Sequence, residues 1–159
     1  MKFSVADLLD QLSIDQSVSL ATLAKILKLS NKTDKAGLDL ASVALAKVGV
    51  LEILENGELQ RLQNEDLIDA RLRCSSKGFC FALRDDGGDD IYIRDHQLNH
   101  AWNGDRVLVR VTREGGRRRS PEGGVQCILE RATRSLLAQV MRQDEQLMAS
   151  PLDLSLIHI

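Results

Sequence analysis

Lys77, Phe79 and Phe81 alternate along one short segment, and Tyr92 stands in a second, Asp90-Ile91-Tyr92-Ile93, beyond the turn-forming run from Arg84 to Asp89. Residue types at this spacing can stack on bases and hold phosphates, because side chains two apart share one face of a β-strand. Lysine is seldom fully buried, so the face shared by Lys77, Phe79 and Phe81 is expected to be the wet one. Tyr92 agrees independently: it alternates with the charged Asp90 and Arg94, while Ile91 and Ile93 take the core side. Exposed rings beside cations suit unpaired bases, each of which offers a π-face and a phosphate. The competing reading is an ordinary hairpin whose rings fill a core.

Other groups with chemical capacity carry less. The carboxylates between Asp85 and Asp90 are oxygen donors of the kind magnesium and calcium prefer, but their spacing is not that of an EF-hand loop, and Asp with Gly-Gly is turn chemistry. His96 and His100 sit four apart with no third ligand for zinc. Trp102 reads as a plug beneath a loop. Arg117, Arg118 and Arg119 lie in a glycine-rich loop and either hold phosphates or form a solvated run. No catalytic residue and no metal site is assigned.

The elements that must position the rings follow from the same alternation. In Ala70 to Cys74, Arg71 and Arg73 share a face; in Arg106 to Val111 the valines claim the core and Arg106 and Arg110 the outside. Val125 to Glu130 reads as a further strand after the loop from Arg113 to Gly124. Five short strands in about seventy residues predict a small closed barrel. The candidate nucleic-acid-binding residues are therefore Lys77, Phe79, Phe81 and Tyr92, with Arg71, Arg73, Arg94, Arg106 and Arg110 around them.

Lys-Gly-Phe-x-Phe followed by Asp-Ile-Tyr-Ile resembles the two RNA-binding motifs of cold-shock domains, which have the OB fold. With Leu98-Asn99-His100-Ala101-Trp102-Asn103-Gly104-Asp105-Arg106-Val107 and Ile128-Leu129-Glu130-Arg131-Ala132, the segment from Leu67 to Arg134 is similar to the first cold-shock domain of the ribonuclease II and ribonuclease R family. The resemblance implies 3′-to-5′ RNA hydrolysis by the complete enzyme, with magnesium held by aspartates of a catalytic domain expected beyond this chain.

The first sixty residues have helical periodicity instead. Ser4-x-x-Asp7 resembles a capping box opening a helix with Val5, Leu8, Leu9 and Leu12 on one face. Leu20, Leu23, Ala24 and Leu27 follow Ser19 as a second stripe, and Leu38, Ala41, Leu45 and Val48 form a third before Gly49. Asn56-Gly57 then predicts a two-residue hairpin turn. Three helices and a hairpin predict a winged helix. Its hairpin carries Glu52, Glu55 and Glu58, which repel phosphate, so a protein contact is expected there rather than duplex reading. A transcription regulator would need a basic recognition helix, and Leu38 to Val48 supplies only Lys47.

The expected organisation is an α+β winged helix at 1–64, an all-β five-stranded OB barrel of cold-shock type at 65–134, and the start of a second, incomplete OB barrel at 135–159. The last six residues, Leu154 to Ile159, are expected to be a non-native ending. The formal net charge is −2, which excludes a strongly basic nucleic-acid binder, although the stretch from Asp66 to Ser135 carries a net of +2. Cys74, Cys80 and Cys127 are odd in number and form no C-x-x-C pair, so the expectation is unpaired thiols, a reducing compartment and a cytoplasmic protein. No apolar run approaches a membrane span. The expected function is an RNA-binding portion of a ribonuclease II- or R-like exoribonuclease, with single-stranded RNA as partner, no cofactor in this chain and no activity of its own. The alternative is a free-standing cold-shock-like RNA-binding or chaperone protein.

Overall fold

The computed structural model describes residues 2–152. Those residues form two compact units that divide at Leu67 and Ile68. The expected non-native ending, 154–159, lies outside the described residues.

The first unit opens with α1 (Val5–Leu9), whose start is the expected capping box: Asp7 N–H donates to Ser4 Oγ at 3.0 Å and Ser4 N–H donates to Asp7 Oδ2 at 2.7 Å. The helix lasts five residues, and Leu12 is buried from the following turn rather than from the helix. α2 (Leu20–Ile26) is capped by Ser19, and α3 (Lys32–Val48) by Asn31. α3 buries Leu38 and Leu45, as its stripe requires, and also Ser42, whose hydroxyl is satisfied by donating to the Leu38 carbonyl at 2.8 Å. Gly49 ends α3 at φ +87°, where its N–H caps the carbonyls of Leu45 and Ala46.

β1 (Leu51–Ile53) and β2 (Leu59–Arg61) pair antiparallel as expected, but not through a two-residue turn. Leu54 and Glu58 close a loop around Glu55, Asn56 and Gly57, with Gly57 at φ +80°. A two-residue turn of the expected kind needs positive φ at both central residues, and Asn56 lacks it. Asn56 instead uses its side chain to accept the Glu58 N–H.

The second unit is a closed barrel of five strands, β3 (Leu67–Cys74), β4 (Cys80–Arg84), β5 (Ile91–Ile93), β6 (Arg106–Arg113) and β7 (Glu122–Glu130), in the order β3-β4-β5-β7-β6. It is OB-like, and it is antiparallel except where β5 runs parallel to β7. Alternation builds its core: Ala70, Leu72 and Cys74 from β3, Cys80 and Ala82 from β4, Ile91 and Ile93 from β5, Val107 and Val109 from β6, and Val125 from β7. Truncating Ile91, which has no exposed surface, to alanine would cost roughly 2–5 kcal/mol. Closure against β3 comes from the segment before β6: Leu72 N–H donates to the Asp105 carbonyl and Gly104 N–H to the Leu72 carbonyl.

Sequence reading starts the last strand at Val125, whereas the structure starts it at Glu122. Gly123 and Gly124 are inside the strand because β5, β6 and β7 converge there. A Cβ on Gly123 would lie 2.7 Å from the Arg110 carbonyl oxygen and 2.9 Å from Ile91 Cγ2.

Cys74 and Cys80 are joined by a disulfide, against the expectation of unpaired thiols. They face each other across β3 and β4, with Cα atoms 4.1 Å apart. Register decides this, and register is invisible in a spacing of six. The pairing removes cysteine spacing as an argument for a reducing compartment. After the barrel, where the start of a second barrel is expected, β8 (Ala138–Gln143) and β9 (Gln146–Pro151) form a hairpin that turns at Asp144 and Glu145. Among the described residues no helix is long and apolar enough to cross a membrane.

Candidate nucleic-acid interface

β-register places a row of side chains across the outside of the barrel. Arg73 faces Phe81, Phe81 faces Tyr92, Tyr92 faces Glu122, and Glu122 faces Arg113. All five strands contribute one member. On β3, β4 and β5 the row exists because its members alternate with core residues, Phe81 lying between buried Cys80 and Ala82 and Tyr92 between buried Ile91 and Ile93, whereas Arg113 comes opposite Glu122 through a register shift after Val111. The Phe81 and Tyr92 ring centroids are 5.4 Å apart with planes inclined by 53°, a favourable tilted aromatic pair. Both rings are half-buried, and Phe79 stands beside them 54% exposed.

Arg73, Phe79, Phe81, Leu83, Asp90 and Ser120 line a cleft of about 490 Å³, together with Cys74 and Ser75. That volume suits a small planar ligand. Apolar walls, one guanidinium and a few oxygens offer a stacking face, a partner for an anion, and hydrogen-bond acceptors for base edges.

The structure brings Phe79, Phe81, Tyr92 and Arg73 together, as their alternation predicts. Lys77 departs from the expected strand face. It sits exposed in the turn before β4, because Gly78 at φ +84° breaks the extended run and donates to the Ser75 carbonyl. The extended backbone resumes at Phe79, whose carbonyl accepts the Ser75 N–H at 2.8 Å. Arg71 shares the outward side of β3 and donates to the Gly104 carbonyl at 2.9 Å. Arg94 is held 3.0 Å from Glu122, which also engages Arg113 at 3.4 Å. Arg106 makes a two-nitrogen contact with Asp69. Arg110 on β6 is half-buried opposite Gly124. Neither Arg106 nor Arg110 lines the cleft.

Asp90 completes the surface on Tyr92's side, as its alternation predicts, while Glu122, Arg113, Leu83 and Ser120 also belong to it and escape sequence reading. Glu122 would have been found by extending the last strand through its two glycines. The acidic turn is committed elsewhere: Arg84 holds the Asp86 carboxylate at 2.6 Å, and that contact, with the Gly88 N–H, lowers the Asp86 pKa to about 2. Among the described residues no three His, Cys, Asp or Glu side chains gather into a metal site. Arg117 and Arg118 project from a small loop closed by Gly116 and Arg119, and all three arginines are exposed. Trp102 is half-buried under the Arg131 guanidinium, 5.5 Å from its ring centre, rather than a core plug. Burial raises the Cys127 thiol to about 11.

Residues 70–128 match the family described as Ribonuclease B OB domain, and residues 6–62 match Cyanobacterial RNase R, N-terminal domain. The acetazolamide conferring resistance protein zam of Synechocystis sp. is 48% identical over 154 residues, which is 96% of this chain and 20% of that protein. Ribonuclease R of Aquifex aeolicus is 30% identical over 131 residues, 82% of this chain and 18% of that protein. The chain therefore spans about a fifth of the length of these curated relatives. A structure of Mycoplasma genitalium RNase R in complex with ribose methylated single-stranded RNA aligns over 54% of this chain and 14% of its own, at 24% identity and a TM-score of 0.42.

Proposed function

The chain belongs to the ribonuclease R family through its N-terminal and OB domains, and from that premise we propose that its barrel holds single-stranded RNA on the ring row. One observation carries this reading: Phe81 and Tyr92 pair on the outward face of neighbouring strands, and Phe81, with Phe79 just before its strand and Arg73 opposite it, lines a cleft large enough for a base. Base stacking on such rings needs no particular sequence, and arginine adds both charge and a planar face. The protein would act in 3′-to-5′ RNA degradation in the cytoplasm, with this portion delivering the strand to a magnesium-dependent centre supplied by other residues of the family's proteins. The helices and the β1–β2 hairpin would serve as a winged helix for a protein partner, since Glu52, Glu55 and Glu58 make that hairpin acidic.

Phe79→Ala tests the reading most cleanly. More than half of this ring is exposed, so folding should change by no more than about 0.5 kcal/mol. Single-stranded RNA affinity, read by fluorescence anisotropy, should fall by about 1–3 kcal/mol. An unchanged affinity, or a loss that merely tracks a severe drop in thermal stability, defeats it.

A further inference from the structure

We propose that the Cys74–Cys80 pair is a reversible redox modification site that sets the order of the RNA-facing loop, with a small dithiol or disulfide as its co-reactant; this deepens the ring-row reading and rests on it. Three features of the structure converge on this site. The two cysteines are direct cross-strand partners at the mouth of the β3–β4 turn. Neither exchanges a ladder hydrogen bond with the other, since the Cys74 N–H donates to Asn103 Oδ1 at 2.8 Å. Facing residues of this kind bring their side chains closest together. The bond also closes the segment that matters for binding, because the residues between the cysteines include Lys77 and Phe79. Finally, Cys74 lines the same cleft as Phe79, Phe81 and Arg73 and keeps 8% of its surface exposed, whereas Cys80 keeps none, so Cys74 is the more approachable of the two.

The exchange balances without further reagents. A thiolate of the dithiol attacks Cys74 Sγ, the S–S bond breaks, and Cys80 leaves as a thiolate that takes up a proton. The second thiol of the reagent then displaces Cys74 from the mixed disulfide. Two electrons have passed to the protein, and the reagent departs as its own disulfide. A disulfide oxidant reverses each step. Cys127 stays out of this chemistry, because it lies half-buried on another strand and desolvation raises its thiol pKa to about 11, which keeps it protonated.

Reduction leaves the turn held by the Ser75–Phe79 and Gly78–Ser75 backbone hydrogen bonds, so the barrel persists while the loop loosens. A strand binding the reduced form must order Phe79 and its neighbours at its own expense, which weakens binding by roughly three- to tenfold. The experiment poises the full chain in reduced or oxidised dithiothreitol. It reads the thiols by mass after alkylation and measures single-stranded RNA affinity for the parent, the Cys74→Ala/Cys80→Ala double variant and Phe79→Ala. The expected result is an oxidised parent that takes up two fewer alkyl groups than the reduced parent and binds more tightly, with the double variant fixed at the weaker affinity in both buffers. Failure to form the bond in oxidant overturns the proposal. Equal affinities with a proven mass change also overturn it, while leaving the ring row intact if Phe79→Ala still weakens binding. Absence of RNA binding in both states removes the ring row and the switch together.

Discussion

Asp105 is the most informative residue to remove, because it is a carboxylate with no exposed surface that joins two ends of the barrel. It accepts the Trp102 N–H at 2.8 Å, the Ala132 N–H at 3.0 Å and the Arg131 guanidinium at 2.8 Å. Asp105→Ala would leave those three donors without their acceptor. The Arg131 side chain is 44% exposed and regains water, so its share is small. The two backbone N–H groups cost about 1–3 kcal/mol each if stranded, toward the lower end where solvent can partly reach them. The sum is about 2–3 kcal/mol, a sizeable part of the 5–15 kcal/mol that holds a typical domain. A domain of this size should therefore melt roughly 10 to 20 °C lower. Urea unfolding followed by circular dichroism gives the free energy. Trp102, the one tryptophan of the chain, reports the loop directly by fluorescence. A loss below about 1 kcal/mol, with the tryptophan signal unmoved, would refute the claim that this carboxylate pins the loop.

Changing Arg117, Arg118 and Arg119 together to serine should flatten the slope of log affinity against log salt by up to about 2 units if all three contact phosphates, and superimposable salt titrations would make the loop a connector only. Asp86 has its carboxyl pKa depressed from 3.8 to about 2, so its pairing with Arg84 stabilises the fold above about pH 4 and is lost as pH falls through 2; thermal melts of Asp86→Asn should be less acid-sensitive across that window, and parallel curves would count against the pairing. The purified chain with magnesium and 3′-labelled RNA should bind without releasing nucleotides, and metal-dependent release that survives rigorous repurification would show catalytic chemistry in these domains.

Local rules were legible in the sequence and long-range pairing was not. The Ser4–Asp7 capping box, the Gly49 stop and the alternation on β3, β4, β5 and β6 all depend on residues a few positions apart, and the structure has them. The ring row was legible for the same reason. Lys77 was misplaced because one glycine in the left-handed region ends the alternation, and composition does not give φ. Arg94 and Arg106 looked like open cations, yet their carboxylate partners lie 28 and 37 residues away in sequence. The disulfide and the early start of β7 were hidden too, since the first needs the hairpin register and the second needs the strand crossing that demands Gly123.

The spacing of the ring row fixes what a bound strand has to give up. Neighbouring β-strands lie about 4.8 Å apart, and the Phe81 and Tyr92 centroids are 5.4 Å apart, whereas stacked nucleotides in a helix rise about 3.4 Å. Two adjacent bases cannot sit on both rings and stay stacked on each other. Each must let go of its neighbour and trade self-stacking for a side chain. Runs that stack weakly, the pyrimidines, make that trade at little cost, while purine tracts and paired ends resist it. The barrel would then rank RNA by how readily its bases part, before any contact to a base edge comes into play.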